Sequence, residues 1–164
     1  MKMKRIMAFA VSVVLLAACI SGCGKKNDEA SNIEANTVAT KLQVQFREEI
    51  KDNKDIIAVA DKLVDNNPVL GEVAMGSMGV EPGFLNGFNG DVMGFDNGVM
   101  FAPFIGTIPF VGYIFETTDT DALVKELNDK AMLNWNICTT ADEKVVDVVD
   151  NYVFFVMAPN SFED

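Results

Sequence analysis

Phe110-Val111-Gly112-Tyr113-Ile114-Phe115-Glu116, followed directly by Thr117-Thr118-Asp119, passes from strand chemistry to helix chemistry within a few positions. Aromatic and β-branched residues dominate Phe110 to Glu116, which predicts a strand. Thr118 or Asp119 then suits an N-cap, and Leu123, Val124, Leu127 and Ala131 recur at helical spacing up to about Leu133, with Asp121 near the positive end of the helix dipole. Beyond this helix, Lys144 to Val149 and Tyr152 to Ala158 read as two strands joined at Asp150-Asn151. The second, Tyr-Val-Phe-Phe-Val-Met-Ala, is apolar without alternation, the pattern of a strand inside the sheet. Thr139-Thr140-Ala141-Asp142 resembles a capped helical turn before them.

Towards the N-terminus the period changes. Val38, Leu42, Phe46 and Ile50 lie four apart, and Ile56, Val59, Ala60, Leu63 and Val64 resume the stripe after Asp52-Asn53-Lys54. This predicts one long bent helix or two helices meeting near Asn53, opened by a Thr37 cap and closed by Asn66-Asn67-Pro68. Ten of the twelve glycines then fall between Gly71 and Gly112, where helix is disfavoured by about 1 kcal/mol per glycine relative to alanine. Short strands are expected at Glu72 to Met75 and Gly98 to Phe101, with turns at Glu81-Pro82-Gly83 and Asp96-Asn97-Gly98, the latter suited to a tight hairpin. The run Ala102 to Pro109, bracketed by Pro103 and Pro109, fits either an exposed loop or a buried crossing.

The first residues follow another logic. Lys2, Lys4 and Arg5 precede an apolar stretch from Ile6 to Ala18, shorter than the roughly 20 residues of a bilayer-spanning helix. Two tetrads close it, Leu16-Ala17-Ala18-Cys19 and Ile20-Ser21-Gly22-Cys23. The segment resembles the bacterial lipoprotein signal peptide, in which an aliphatic residue and two small residues precede a lipid-modified Cys. That resemblance implies a diacylglycerol on the Cys sulfur, cleavage before it and, in many bacteria, acylation of the new amine. Cys23 is the preferred acceptor because Gly24-Lys25-Lys26 begins the polar chain right after it, with Cys19 as the alternative. The implied organisation is a signal peptide at residues 1–22, a lipidated flexible tether at 23–36 and one domain at 37–164. The mature chain is similar in layout to short bacterial lipoproteins in which a tether leads to a small α+β domain, a likeness with no catalytic motif to transfer.

Counted from Cys23, the chain has 10 Lys/Arg against 24 Asp/Glu, a net charge of −14. Clustered basic residues, which nucleic acid and anionic lipid call for, are missing, so no nucleic-acid partner is expected. Histidine is absent altogether, which removes Ser-His-Asp and Cys-His mechanisms and the commonest zinc ligand. With both signal cysteines set aside, Cys138 is the one remaining thiol, too few for a disulfide or a thiolate cluster. Its neighbours Ile137 and Trp135 suggest a small buried side chain.

The remaining site candidates are few. Glu72, Glu81 and Glu116 stand in the more apolar settings among the carboxylates, and paired carboxylates serve glycoside hydrolysis; solvated positions at strand or turn ends explain them as well. Asn89-Gly90-Asp91 and Asp96-Asn97-Gly98 carry oxygen ligands but not the spacing of a calcium loop. Met75, Met78, Met93 and Met100 place four thioethers in the Gly-rich region, where soft sulfur selects Cu(I), although methionine also fills irregular cores. Phe84-Leu85-Asn86-Gly87-Phe88 and Phe104-Ile105 can present apolar side chains to a partner or pack over the sheet.

The expectation is therefore an α+β fold, a small antiparallel or mixed sheet with helices packed on one face. It requires no cofactor. The functional expectation is a lipid-anchored protein at the extracytoplasmic face of the cell membrane, a non-enzymatic binding or accessory domain whose partners are the membrane, through the anchor, and an envelope protein. The alternative is a carboxylate-based enzyme or a methionine-based copper-handling protein.

Overall fold

A computed structural model describes residues 33–162. The signal peptide, Cys19, Cys23 and most of the tether lie outside the described residues. Helix α1 spans Val38–Asp52 and helix α2 Ile56–Val64, so the apolar stripe belongs to two helices. The reason for the break is local. Asn53 leaves α1 in an extended conformation, and the Asp55 carboxylate caps α2 by accepting from the Ile57 and Ala58 amides at 3.0 and 3.3 Å. At the start of α1, Thr37 and Thr40 each accept the other's backbone N–H, at 3.3 and 3.0 Å, the reciprocal arrangement of a capping box.

After a short 3₁₀ turn at Pro68–Leu70 come strands β1 (Met75–Val80), β2 (Gly83–Phe84), β3 (Asp91–Val92), β4 (Asn97–Pro103) and β5 (Val111–Glu116). Helix α3 (Thr120–Lys130) and strands β6 (Glu143–Val149) and β7 (Tyr152–Ala158) complete the order. Five strands form one antiparallel sheet in the order β1-β4-β5-β7-β6, and β2 and β3 pair apart from it. The α+β class and the antiparallel sheet stand as expected. Asp119 caps α3 by accepting from the Ala122 amide at 3.0 Å. Asp150, at φ 55°, makes the two-residue turn between β6 and β7, a left-handed conformation that Asp tolerates.

Three local expectations are corrected. The first strand begins at Met75, not at Glu72. Asn97 and Gly98 lie inside β4, opposite Glu116 and Phe115, so Asp96-Asn97-Gly98 is not a positive-φ hairpin; cross-strand pairing overrides its turn propensity. Residues 139–142 form no helical turn, because the Ala141 amide donates to Leu133 O and the Asp142 amide to Ala158 O at 2.9 and 3.0 Å, which leads the chain straight into β6.

The helices do not share one face. On one side of the sheet, α1 and α2 bury Leu42, Phe46, Ile50, Val59 and Leu63 against Val99, Phe101, Ile114, Phe154 and Val156. On the other, Leu123 and Leu127 of α3 join Leu85, Phe88, Val92 and Phe95 over Tyr113, Phe115, Val153, Phe155 and Met157. The unbroken apolar character of β5 and β7 already demands this, since a strand without alternation must be covered twice. Several glycines of the sheet leave no room for a side chain, Gly112 least of all. Gly112 faces Phe101 across the β4–β5 pair, and a Cβ there would stand 2.2 Å from the ring. At the β6 edge, Arg47 of α1 grips Asp147 through two hydrogen bonds of 2.5 Å. A carboxylate so buried needs that partner, and the fork orients α1 across the strand.

Candidate functional site

Antiparallel pairing sorts the loops to two ends of the sheet. The chain enters at one end, where the Val38 amide donates to Asn160 O at 3.1 Å just beyond β7. Here also lie the β4–β5 loop, residues 104–110, and the segment from α3 to β6, residues 131–142. Phe110 and Phe162 pack with ring centroids 5.9 Å apart, which pins the C-terminal residues beneath the loop. Two side chains join the loops: Asn136 Nδ2 donates to Gly106 O at 2.7 Å and the Thr139 hydroxyl to Thr107 O at 2.8 Å. Phe104 N–H donates to Ala74 O at 3.0 Å, and its ring rests where a Cβ on Gly76 would be, 2.7 Å away.

The outward side of this pair is apolar. Phe104 is 74%, Ile105 64% and Ile137 99% exposed. No Asp, Glu, Lys or Arg occurs from residue 97 to 115 or from 131 to 141, in a chain otherwise rich in carboxylates. Ala102 to Pro109 is thus an exposed loop. Cys138, expected to be buried, is exposed, because residues 134–140 form a loop rather than a strand under cover. Phe84 is exposed as well, whereas Leu85 and Phe88 are buried, so the Phe84–Phe88 segment divides between surface and core.

The opposite end is acidic. A cleft of about 390 Å³ is lined by Lys54, Asp55, Ile57, Glu81, Asp96 and Glu116. Asp55 is occupied as the α2 cap. Glu116 accepts from Asn97 Nδ2 at 2.9 Å and from Asn151 Nδ2 at 3.1 Å, holding the start of β4 to the β6–β7 turn. Glu81 and Glu116 therefore share this cleft, while Glu72 lies in another, of about 600 Å³, beside Asp61, Asp65 and Asn67. There the Ser77 hydroxyl donates to Asp61. Among the described residues no group of three or more Cys, Asp or Glu side chains is placed to hold a metal ion.

The four methionines are not brought together on one face. Met75 packs on the α1–α2 side, whereas Met100 packs on the α3 side, with Met78 opposite it in the β1–β4 register. Met93 lies exposed beyond β3. The Met100 sulfur accepts from the Tyr113 hydroxyl at 3.4 Å, and the same hydroxyl reaches Asn86 O at 2.8 Å. Burial raises the Tyr113 phenol far above its ordinary range, so it stays a donor that ties the Gly-rich segment to the sheet.

One carboxylate has an organising role that the sequence did not reveal. Glu126 of α3 accepts from the Met93 and Gly94 amides at 3.2 and 2.9 Å and from Lys130 at 2.7 Å. Partial burial works against its charge, but these donors outweigh it and hold the carboxyl below the usual range. The i,i+4 spacing to Lys130 was a visible signal; the amide contacts, more than thirty residues away in sequence, were not. Comparison of the chain with family models, curated proteins and solved structures finds no match.

Proposed function

We propose that this chain is a lipoprotein held at the extracytoplasmic face of the cell membrane by a diacylglycerol on Cys23, and that its folded domain is a non-enzymatic binding module. The observation that supports a binding role is the joined loop pair, which exposes Phe104, Ile105 and Ile137 and carries no charged residue at 104–110 or 131–141. Large apolar side chains exposed on two hydrogen-bonded loops mark an interaction surface. The paired tetrads ending at Cys19 and Cys23 support the anchor. Against the copper alternative stands the division of the methionines between two sides of the sheet, since coordination needs converging sulfurs. Against a carboxylate enzyme stands the use of Asp55 and Glu116 as ligands of helix and turn.

The test is chemical. Cells expressing the chain are fed an alkyne fatty acid, and the mature N-terminus is read by mass spectrometry. The expected product begins at acylated Cys23; Cys23→Ala abolishes labelling and Cys19→Ala does not. Labelling lost with Cys19→Ala alone moves the anchor to Cys19. An unacylated product from the native chain overturns the proposal.

A further inference from the structure

We infer that the loop pair carrying Phe104, Ile105 and Ile137 docks on the bilayer that holds the anchor, so that the domain lies against the lipid rather than standing clear of it. This rests on the lipid-anchor reading and names the partner of the surface described under it. The first argument is position. The first described helix begins beside this surface, since the Val38 amide meets Asn160 O where β7 ends and Phe110 meets Phe162. Fully extended, the stretch from Cys23 to Thr37 spans no more than about 50 Å. The end that leads to the anchor is therefore the end that bears the exposed apolar residues.

The second argument is charge. The loop pair is free of Asp, Glu, Lys and Arg, while the opposite end gathers Asp55, Glu81, Asp96 and Glu116. Asp142 and, in the cleft beside Phe104, Asp61, Asp65 and Glu72 flank the loops, so what favours close approach to anionic lipid is the uncharged loop pair itself. The third is chemistry. Phe and Ile suit the boundary between headgroups and acyl chains, and docking there needs neither a shaped pocket nor paired charges. Three side chains are too few for stable attachment by themselves, but the anchor makes their contact intramolecular, at high effective concentration.

Trp135 makes this measurable without a label. It is the single Trp of the chain and lies between the α3 end and Ile137. The acylated protein is placed in phosphatidylcholine vesicles, with and without bromine near the headgroup end of the acyl chains, and vesicles are collected by flotation. The expected result is about twofold or greater quenching of Trp135 by the brominated lipid, because interfacial elements bury about 5–10 Å into the boundary. Replacing Phe104, Ile105 and Ile137 together by Asp abolishes the quenching while the protein still floats. Ile137→Asp alone, at a side chain almost wholly in solvent, reduces it without disturbing the fold. Protein that floats with Trp135 unquenched overturns the docking and leaves the anchor standing. A Cys138–Cys138 cross-link in such protein assigns the surface to a second copy. If the native chain purified from expressing cells carries no acyl chains and does not float, the anchor reading falls, and the docking with it.

Discussion

Loops 104–107 and 134–139 close one end of the sheet without a single Asp, Glu, Lys or Arg, whereas the other end carries Asp55, Glu81, Asp96, Glu116 and Asp150. At the acidic end, polar groups serve the fold: Asp55 caps α2, Glu116 binds two asparagines, and Asp150 makes the β6–β7 turn. At the end that bears the uncharged loops the division runs otherwise. Phe110 is buried and holds the fold, while Ile105 and Ile137 are exposed and Phe104 rests on Gly76 with most of its surface in solvent. The contrast teaches that residue class does not reveal a residue's use here. Glu116, a carboxylate that looks like candidate chemistry, is structural, and apolar residues that look like core are surface.

Phe110→Ala provides the largest expected effect. Truncating a buried Phe costs about 4 kcal/mol, read as a fall in the urea midpoint. A loss below about 1 kcal/mol, the scale of an ordinary surface change, would break the view that Phe110 pins the end that bears the uncharged loops. Glu116→Ala comes next, at about 2 kcal/mol for two side-chain hydrogen bonds. If its stability is unchanged, the acidic end is not structural.

Glu126→Gln is expected to cost about 1 kcal/mol at neutral pH, because Gln accepts less strongly from Lys130 and the two amides. The pH dependence has a definite sign. Glu126 has its pKa lowered in the fold, so its contribution is complete above the unfolded value near 4.3 and is lost as pH falls through the lower folded value. Urea titrations between pH 7 and 3 should show the variant closing on the native chain as pH falls. A gap that widens on acidification would contradict this. Smallest is the change in stability on replacing Phe104, Ile105 and Ile137 by Asp, within about 0.5 kcal/mol in total. A loss of several kcal/mol would put these residues in the core and erase the contrast between the ends.

Much of the fold was legible because it rests on short-range chemistry. Thr37 and Asp119 cap the helices they were expected to cap, the stripe from Val38 to Leu63 is buried, and Asp150-Asn151 turns the last hairpin. Asn97-Gly98 misled for the opposite reason: its turn chemistry is local, but β5 recruits it into a ladder. Cys138 misled because apolar neighbours suggest burial only when they are covered: Trp135 packs partly against the core, but Ile137 and Cys138 stay exposed. The placement of α3 on the second face was implicit in the unalternating strands, although no single residue announced it.

The sequence by itself determined most of the elements, the caps at Thr37 and Asp119, an α+β class and the shortage of histidine and thiol chemistry, since each follows from composition or from contacts spanning a few residues. Only the tertiary structure decided that Asn136 would meet Gly106 and Thr139 meet Thr107, and that their loops would gather beside the chain's point of entry. Those meetings depend on β4, β5, β6 and β7 aligning in one sheet. Strand register, set by packing on both faces at once, is a property of the whole domain and is written in no local stretch of it.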